Sequence, residues 1–235
     1  MISTIVLALA TPLVDRPTIS RIATALNVQI ARDFAPAWGR VAAVVVVSED
    51  ETLSTITRES LRNVFNALPN DFAVVFVVDG VDVPNVLGVH DVGPGGRPFG
   101  HVDAGALARG GELSTLAVVL SHEILELLGD PYCVTWTDAP ADEKERLGER
   151  ERAFEVCDPT QADFYSIGDV TVSNFLYPAY FCQSTLPGTR LDHMRLVREP
   201  FQIRPGGYAL TRSTSGVSNV FGSAPQRQTR LRRRR

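Results

Sequence analysis

An α/β (α+β) fold is predicted by three observations. The first eighty residues alternate short, nearly all-apolar runs with a helical repeat, one later helix is apolar almost all round, and the C-terminal third is rich in loops. Residues 3–10 read as the first core strand. From Thr18 to Phe34 the residues Ile19, Ile22, Ala23, Leu26, Ile30 and Phe34 recur at helical spacing, and Pro36 and Gly39 end the repeat. Val41 to Val47 has the composition of a strand buried on both faces. A diluted helical pattern follows over 51–67, then a buried strand from Phe72 to Val78. Leu87 to Val92 and Phe99 to Ala104 flank Gly93-Pro94-Gly95-Gly96, the pattern of a hairpin. Downstream, short extended pieces are expected near 164–166, 170–174, 201–204 and 208–211.

With 235 residues and 44% hydrophobic content the chain can bury one substantial core, so one domain is expected over 1–212, with a polar, Arg-rich tail over 213–235. Arg227, Arg230 and Arg232 to Arg235 place six positive charges at the end. The other 17 basic residues face 27 acids, which leaves the body at a formal −10. The tail reads as a solvated end, or as a contact for an acidic protein partner or for nucleic acid. It lacks the interleaved aromatics of a base-reading surface.

Ile2 to Val14 lacks a Lys or Arg ahead of its apolar run and is interrupted by Pro12, so it reads as a strand rather than a cleaved signal peptide. No run reaches the roughly 18 apolar residues of a membrane span. A soluble protein is expected, with the compartment left open and virion association among the alternatives. Cys133, Cys157 and Cys182 are too few for a disulfide framework, although Cys133 and Cys157 are placed to pair in an oxidising setting.

Leu113 to Gly129 is the most informative segment. With His122 at zero and about 100° per residue, Glu126 falls near 40°, Asp130 near 80° and Glu123 near 100°. The rest of the wheel holds Leu116, Ala117, Val118, Leu120, Ile124, Leu125, Leu127 and Leu128, so the helix is apolar nearly all round and the polar sector faces the protein interior. Carboxylates crowded there lose hydration and repel one another, at roughly several kcal/mol per ion unless a cation compensates. A divalent metal is the simplest compensation, since His122 and Glu126 project side by side from successive turns and suit one ion. Glu123 would lie beside that ion as a general base. Glu155-Val156-Cys157-Asp158 supplies two further carboxylates. Asp158 is the preferred third ligand, with Glu155 as its alternative, and Asp130 is either a ligand or the cap that ends the helix with Pro131.

The motifs His122 to Pro131 (HExxExxxDP) and Glu155 to Asp158 (E-[IV]-x-D) resemble those of zincin-like proteins of phage and bacterial origin and, more distantly, plant exordium-like proteins. Asp33 to Gly39, Leu87 to Asp91 and Val172 to Phe175 extend the resemblance over roughly residues 1–212. It implies a zincin-like mixed sheet packed on helices above the central motif helix, with an edge strand able to pair with an extended peptide or protein segment. The hairpin 87–104 suits that role. The activity implied is that of a zinc metallopeptidase, a hydrolase in which the metal acidifies a water and Glu123 takes its proton. Glu126 departs from the peptidase pattern by standing where a second His is usual. Its charge lowers the acidity of such a water and, with the other oxygen ligands, moves preference toward Mn or Ca. The alternative is a non-catalytic structural or interaction protein, such as a component of a phage particle, that keeps the scaffold and assembles into oligomers. Tyr177 and Tyr180 are candidate donors to a transition state, and His90 a candidate cleft residue outside the ligand set. His101 and His193 read as ordinary hydrogen-bonded histidines.

Overall fold

In the computed structural model, residues 1–48, 63, 65–80, 87–141 and 149–222 are described. The helix expected over 51–67 lies mostly outside them, with residues 65–67 helical. Strand β1 (Thr4–Ala10) is buried from Ile5 to Leu9, as an apolar run must be when both faces are covered. It pairs in parallel with β2 (Ala43–Ser48) on one side and β3 (Phe72–Val78) on the other, Val6 standing opposite Val45 and Val74. Beyond β3 lie β5 (Pro98–Asp103), parallel to it, and β4 (Gly88–Val92), antiparallel to β5, so the sheet is mixed with the order β2-β1-β3-β5-β4. The even burial expected for residues 41–47 is not found. As an edge strand β2 turns Val44 into the core and leaves Val45 and Val47 exposed.

Helix α1 (Arg16–Val28) starts at Asp15, whose carboxylate accepts the Thr18 N–H at 2.8 Å, and buries Ile19, Ile22, Ala23 and Leu26. It continues as a π-helical segment, Gln29–Phe34, and the short α2 (Ala35–Trp38), which ends at Gly39 with φ +64°. The wider π turn keeps Gln29, Ile30, Asp33 and Phe34 all buried. Helix α3 (Ala104–Arg109) leads to α4 (Leu116–Gly129), every residue of which is buried except Val118. Helix α4 packs against β4, β5 and β9 (Val170–Ser173), the last in a hairpin with β8 (Phe164–Ile167).

The C-terminal third holds more sheet than its composition suggests. Strands β6 (Trp136–Asp138), β7 (Glu149–Ala153), β10 (Tyr208–Ser213) and β11 (Gly216–Phe221) form an antiparallel sheet in the order β11-β10-β7-β6. The boundary expected at 212 therefore falls inside the β10–β11 hairpin, and residues 201–204 form no strand. Residues 213–221 belong to this sheet rather than to a tail, because β11 pairs along its whole length with β10. The arginines at 227–235 lie outside the described residues. The fold is α+β, and among the described residues no helix is long and apolar enough to cross a membrane.

Candidate metal centre

The site begins with the anchoring of α4. Ser121 donates to Gln29 Oε1 (2.8 Å), Gln29 Nε2 donates to the Ser173 carbonyl (2.9 Å), and the Ser173 N–H donates back to Ser121 Oγ (3.0 Å). This closed, buried ring of hydrogen bonds joins α4, the π segment and β9, and leaves none of these groups unsatisfied. At the other end, Arg40 Nη1 donates to the carbonyls of Leu128 and Gly129, placing a cation on the negative end of the helix.

On this fixed helix His122 and Glu126 meet one turn apart, His122 Nε2 lying 3.3 Å from Glu126 Oε1. The chain leaves the helix at Asp130, whose carboxylate accepts the Thr135 N–H (2.8 Å) and hydroxyl (3.0 Å). Asp130 is thus committed to the turn and does not join the cluster. After β7 the chain returns along Glu155 to Asp158. The N–H groups of Cys157 and Asp158 donate to Glu126 Oε1 at 3.2 and 3.3 Å, and Asp158 Oδ1 stands 3.1 Å from His122 Nε2. Gly129 makes this approach possible, since a Cβ there would lie 2.5 Å from Val156 Cγ1.

Strand β4 contributes from above. His90, 3% exposed, holds Nδ1 3.4 Å from Glu126 Oε2 and 3.7 Å from Glu123 Oε2, with Nε2 3.7 Å from Glu155 Oε2. Glu123 packs beneath Gly88, where a Cβ would lie 2.7 Å from Glu123 Oε1, so only glycine lets the carboxylate tuck under this strand. Together these residues border a cavity of about 800 Å³, closed further by Tyr132, Cys133, Trp136, Tyr208, Leu210 and, from β11, Val217, Ser218 and Asn219. Among the described residues lining it there is no Lys or Arg.

Burial and crowding displace the titrations of Asp158, Glu123, Glu126, His122 and His90. Burial, reinforced by the Glu126 charge, pushes Asp158 up to about 7, and burial raises Glu123 as well. Burial would also raise Glu126, but His122 and His90 outweigh it and hold this carboxyl below the usual range. Burial opposes charge on both histidines. Glu126 and Asp158 overcome it at His122, and hydrogen bonds that His90 donates to Cys133, Glu123 and Glu126 do so at His90, so both ring pKa values rise well above 6.5.

Among the described residues two trios meet the spacing of a metal site: His122, Glu126 and Asp158, and His90, Glu126 and Glu155. In each, the candidate ligand atoms lie within 4.8 Å of one another. Bonds of about 2.0–2.2 Å in a tetrahedral site put neighbouring ligand atoms roughly 3.3–3.6 Å apart. The 3.1 and 3.3 Å around His122 Nε2 are close to that spacing with the side chains as they stand. The first trio and the adjoining Glu123 are the residues singled out from the motif helix and the downstream acids.

Other expected residues lie elsewhere. Tyr177 carries the Arg190 guanidinium on its ring at 4.8 Å, and Tyr180 packs with Phe181 and Phe201; neither borders the cavity. Their place is taken by Tyr208, which the sequence reading missed. It is buried, and its hydroxyl hydrogen-bonds the Asp158 carboxylate. Its one signal in the sequence is Gly206-Gly207 just before it, Gly207 lying so close to the Pro159 carbonyl that a Cβ would come within 2.3 Å. His90 belongs with the acids themselves and not merely to the rim. His101 sits in β5, with burial bringing it down to about 4, and His193 stacks on Tyr165 and Phe175. All three cysteines are free.

Strand β4 is the edge of its sheet, and its hydrogen bonds to β5 come from the odd residues: the Asp103 N–H donates to the Leu87 carbonyl and the Gly93 N–H to the Arg97 carbonyl. By the alternation of an antiparallel ladder, Gly88, His90 and Val92 direct their backbone groups away from β5. Cys133 Sγ already donates to the His90 carbonyl at 3.7 Å.

Comparison of the chain with protein-family models, with curated proteins and with solved structures finds no match.

Proposed function

We propose that the protein is a metal-dependent hydrolase acting on peptide bonds, a zincin-like metallopeptidase in chemistry. The observation that carries this reading is the buried trio His122, Glu126 and Asp158, with Glu123 beside it at the wall of an accessible cavity. A divalent ion bound there supplies Lewis-acid polarisation of a carbonyl and lowers the pKa of a water. The rest falls to the chain. Glu123, its affinity for a proton raised by burial, accepts a proton at a carboxylate oxygen during attack and passes it to the leaving amine. Tyr208 exchanges its hydrogen bond to Asp158 for one to the oxygen that gains charge. The outward backbone groups of Gly88 and His90 hold an extended substrate as an added strand, which fixes the scissile bond relative to Glu123.

The ligand chemistry leaves zinc in competition with manganese and calcium, because two of the three donors are carboxylates. The test uses the full chain, stripped by chelation and reloaded with Zn²⁺, Mn²⁺ or Ca²⁺ separately, and a peptide library read by mass spectrometry. Expected are cleavage with at least one of the three metals and loss of cleavage in Glu123→Gln, which keeps its metal. A folded chain that takes up no metal refutes the reading.

A second reading is favoured by one residue. Glu126 brings a negative charge to the ion and leaves it a weaker activator than a neutral imidazole would. The protein would then be a non-catalytic scaffold that assembles through β4, with Glu123→Gln leaving assembly unchanged and no peptide cleaved under any metal.

A further inference from the structure

Glu126 faces two ways. Its Oε1 is turned to His122 (3.3 Å), on the side where Asp158 completes the first trio, while its Oε2 is turned to His90 (3.4 Å), on the side of Glu155. The His90 nitrogen nearest Glu126 is Nδ1 and the one facing Glu155 is Nε2, but a single ring nitrogen lies within 4.8 Å of an oxygen of each acid, so a carboxylate dividing its oxygens between the two imidazoles has the arrangement of a bridging ligand with one nitrogen from each ring. Two-metal hydrolytic sites hold their ions about 3.5–4 Å apart, a span that one carboxylate covers with one oxygen on each ion.

His90 supplies an independent indication. Its Nε2 is buried and has no hydrogen-bond partner, and it looks across 3.7 Å at Glu155 Oε2. A buried imidazole nitrogen in that state costs free energy unless something fills its lone pair or takes its proton. Strand β4 fixes His90 above α4, and the segment carrying Glu155 is fixed below by the Cys157 and Asp158 hydrogen bonds to Glu126. The two side chains are thus held at a separation too long for a hydrogen bond and suited to an intervening ion.

We propose that the cavity holds two divalent cations bridged by Glu126, one with His122 and Asp158 and the second with His90 and Glu155. This extends the hydrolase reading and rests on its metal site, but adds a site and a role for His90 which that reading does not require. The first ion remains the one beside Glu123 and Tyr208, and the second lies under the outer strand of the sheet.

The test measures stoichiometry and magnetic coupling rather than turnover. The full chain, stripped by chelation, is dialysed against Zn²⁺ and separately against Mn²⁺, and bound metal is counted by elemental mass spectrometry. Expected are two ions per chain in the wild type, one in His90→Gln and in Glu155→Gln, and fewer than one in Glu126→Gln. Electron paramagnetic resonance of the Mn²⁺-loaded wild type needs no variant to fold and should give an exchange-coupled multiline spectrum. One ion per chain, or an isolated six-line Mn²⁺ spectrum, overturns the second site and leaves the hydrolase reading intact. No ion at all overturns both. Two ions retained in a folded His90→Gln also refute the assignment.

Discussion

Stripping the metal should make this protein lose stability as the pH rises, the opposite of the usual behaviour of a carboxylate-rich protein. In the metal-free chain Asp158 is displaced from its ordinary 3.8 to about 7 by burial and by Glu126. Because the folded state holds this proton more tightly than the unfolded chain, its contribution is fully present below pH 3.8 and is lost as the pH rises through 7. At 1.36 kcal/mol per pH unit the loss is about 4 kcal/mol. Glu123, also raised, acts in the same sense. His122 and His90 have folded-state pKa values well above 6.5, so their stabilisation is present below 6.5 and drains away above it. Glu126 acts oppositely, but its contribution is lost only as the pH falls below 4.5, outside this window. Of the Asp158 loss, about 3 kcal/mol falls between pH 5 and 7, which for a chain of this size corresponds to roughly 6–12 °C in Tm. Metal binding runs the other way, since the ligands must shed protons to bind it, and saturation at about a thousandfold over Kd adds about 4 kcal/mol. Scanning calorimetry of chelated and Zn²⁺-loaded protein at pH 5, 6, 7 and 8 should show the gap in Tm widening with pH. A metal-free Tm that stays level or climbs from pH 5 to 8, or a gap that is constant, refutes the electrostatic account of the cluster.

Other perturbations separate the roles. Gly88→Ala puts a methyl group 2.7 Å from Glu123 Oε1 and should cost about 1–3 kcal/mol by overpacking. If Glu123 is the proton acceptor, its displacement lowers peptide turnover on the order of a hundredfold while bound metal is unchanged. Gly129→Ala pushes Val156 off the end of α4 and should weaken metal binding itself, seen as a higher Kd in competition with a chromophoric chelator. Asp130→Ala removes two hydrogen bonds from the turn and should lower the unfolding free energy, read by urea denaturation, by about 1–3 kcal/mol with the metal count unaltered. Tyr208→Phe keeps the ring and removes the hydroxyl, and is expected to lower kcat by about ten- to a hundredfold with little change in KM, as for loss of a transition-state donor.

What could be read in advance follows from how local the information is. The polar sector of α4 is a property of one helix, so His122, Glu123 and Glu126 emerge from a wheel drawn on Leu113 to Gly129 alone. The β4–β5 hairpin is equally local, because Gly95 and Gly96 at φ +74° and +73° mark its turn. His90 joins the cluster only through sheet topology, since no spacing along the chain connects it with Glu126 or Glu155. Tyr208 is remote in the same way. Strand β7, Glu-Arg-Glu-Arg-Ala, has almost no strand propensity and forms because its neighbours supply partners: Glu151 accepts from Arg212 Nε at 2.7 Å, and that guanidinium lies 4.6 Å over the Trp136 ring. Strand β11 hides behind Ser218 and Asn219, which make the segment look like a linker although its backbone is paired throughout.

That last strand has a practical consequence. Val217, Ser218 and Asn219 wall the cavity, yet none belongs to either trio, and the hairpin that carries them stands at the free edge of its sheet. A chain cut after residue 212 would keep every candidate ligand and lose a side of the chamber. If the trios hold ions as proposed, this wall of the cavity can be altered at three small or medium side chains, in evolution or in the laboratory, without touching a candidate ligand.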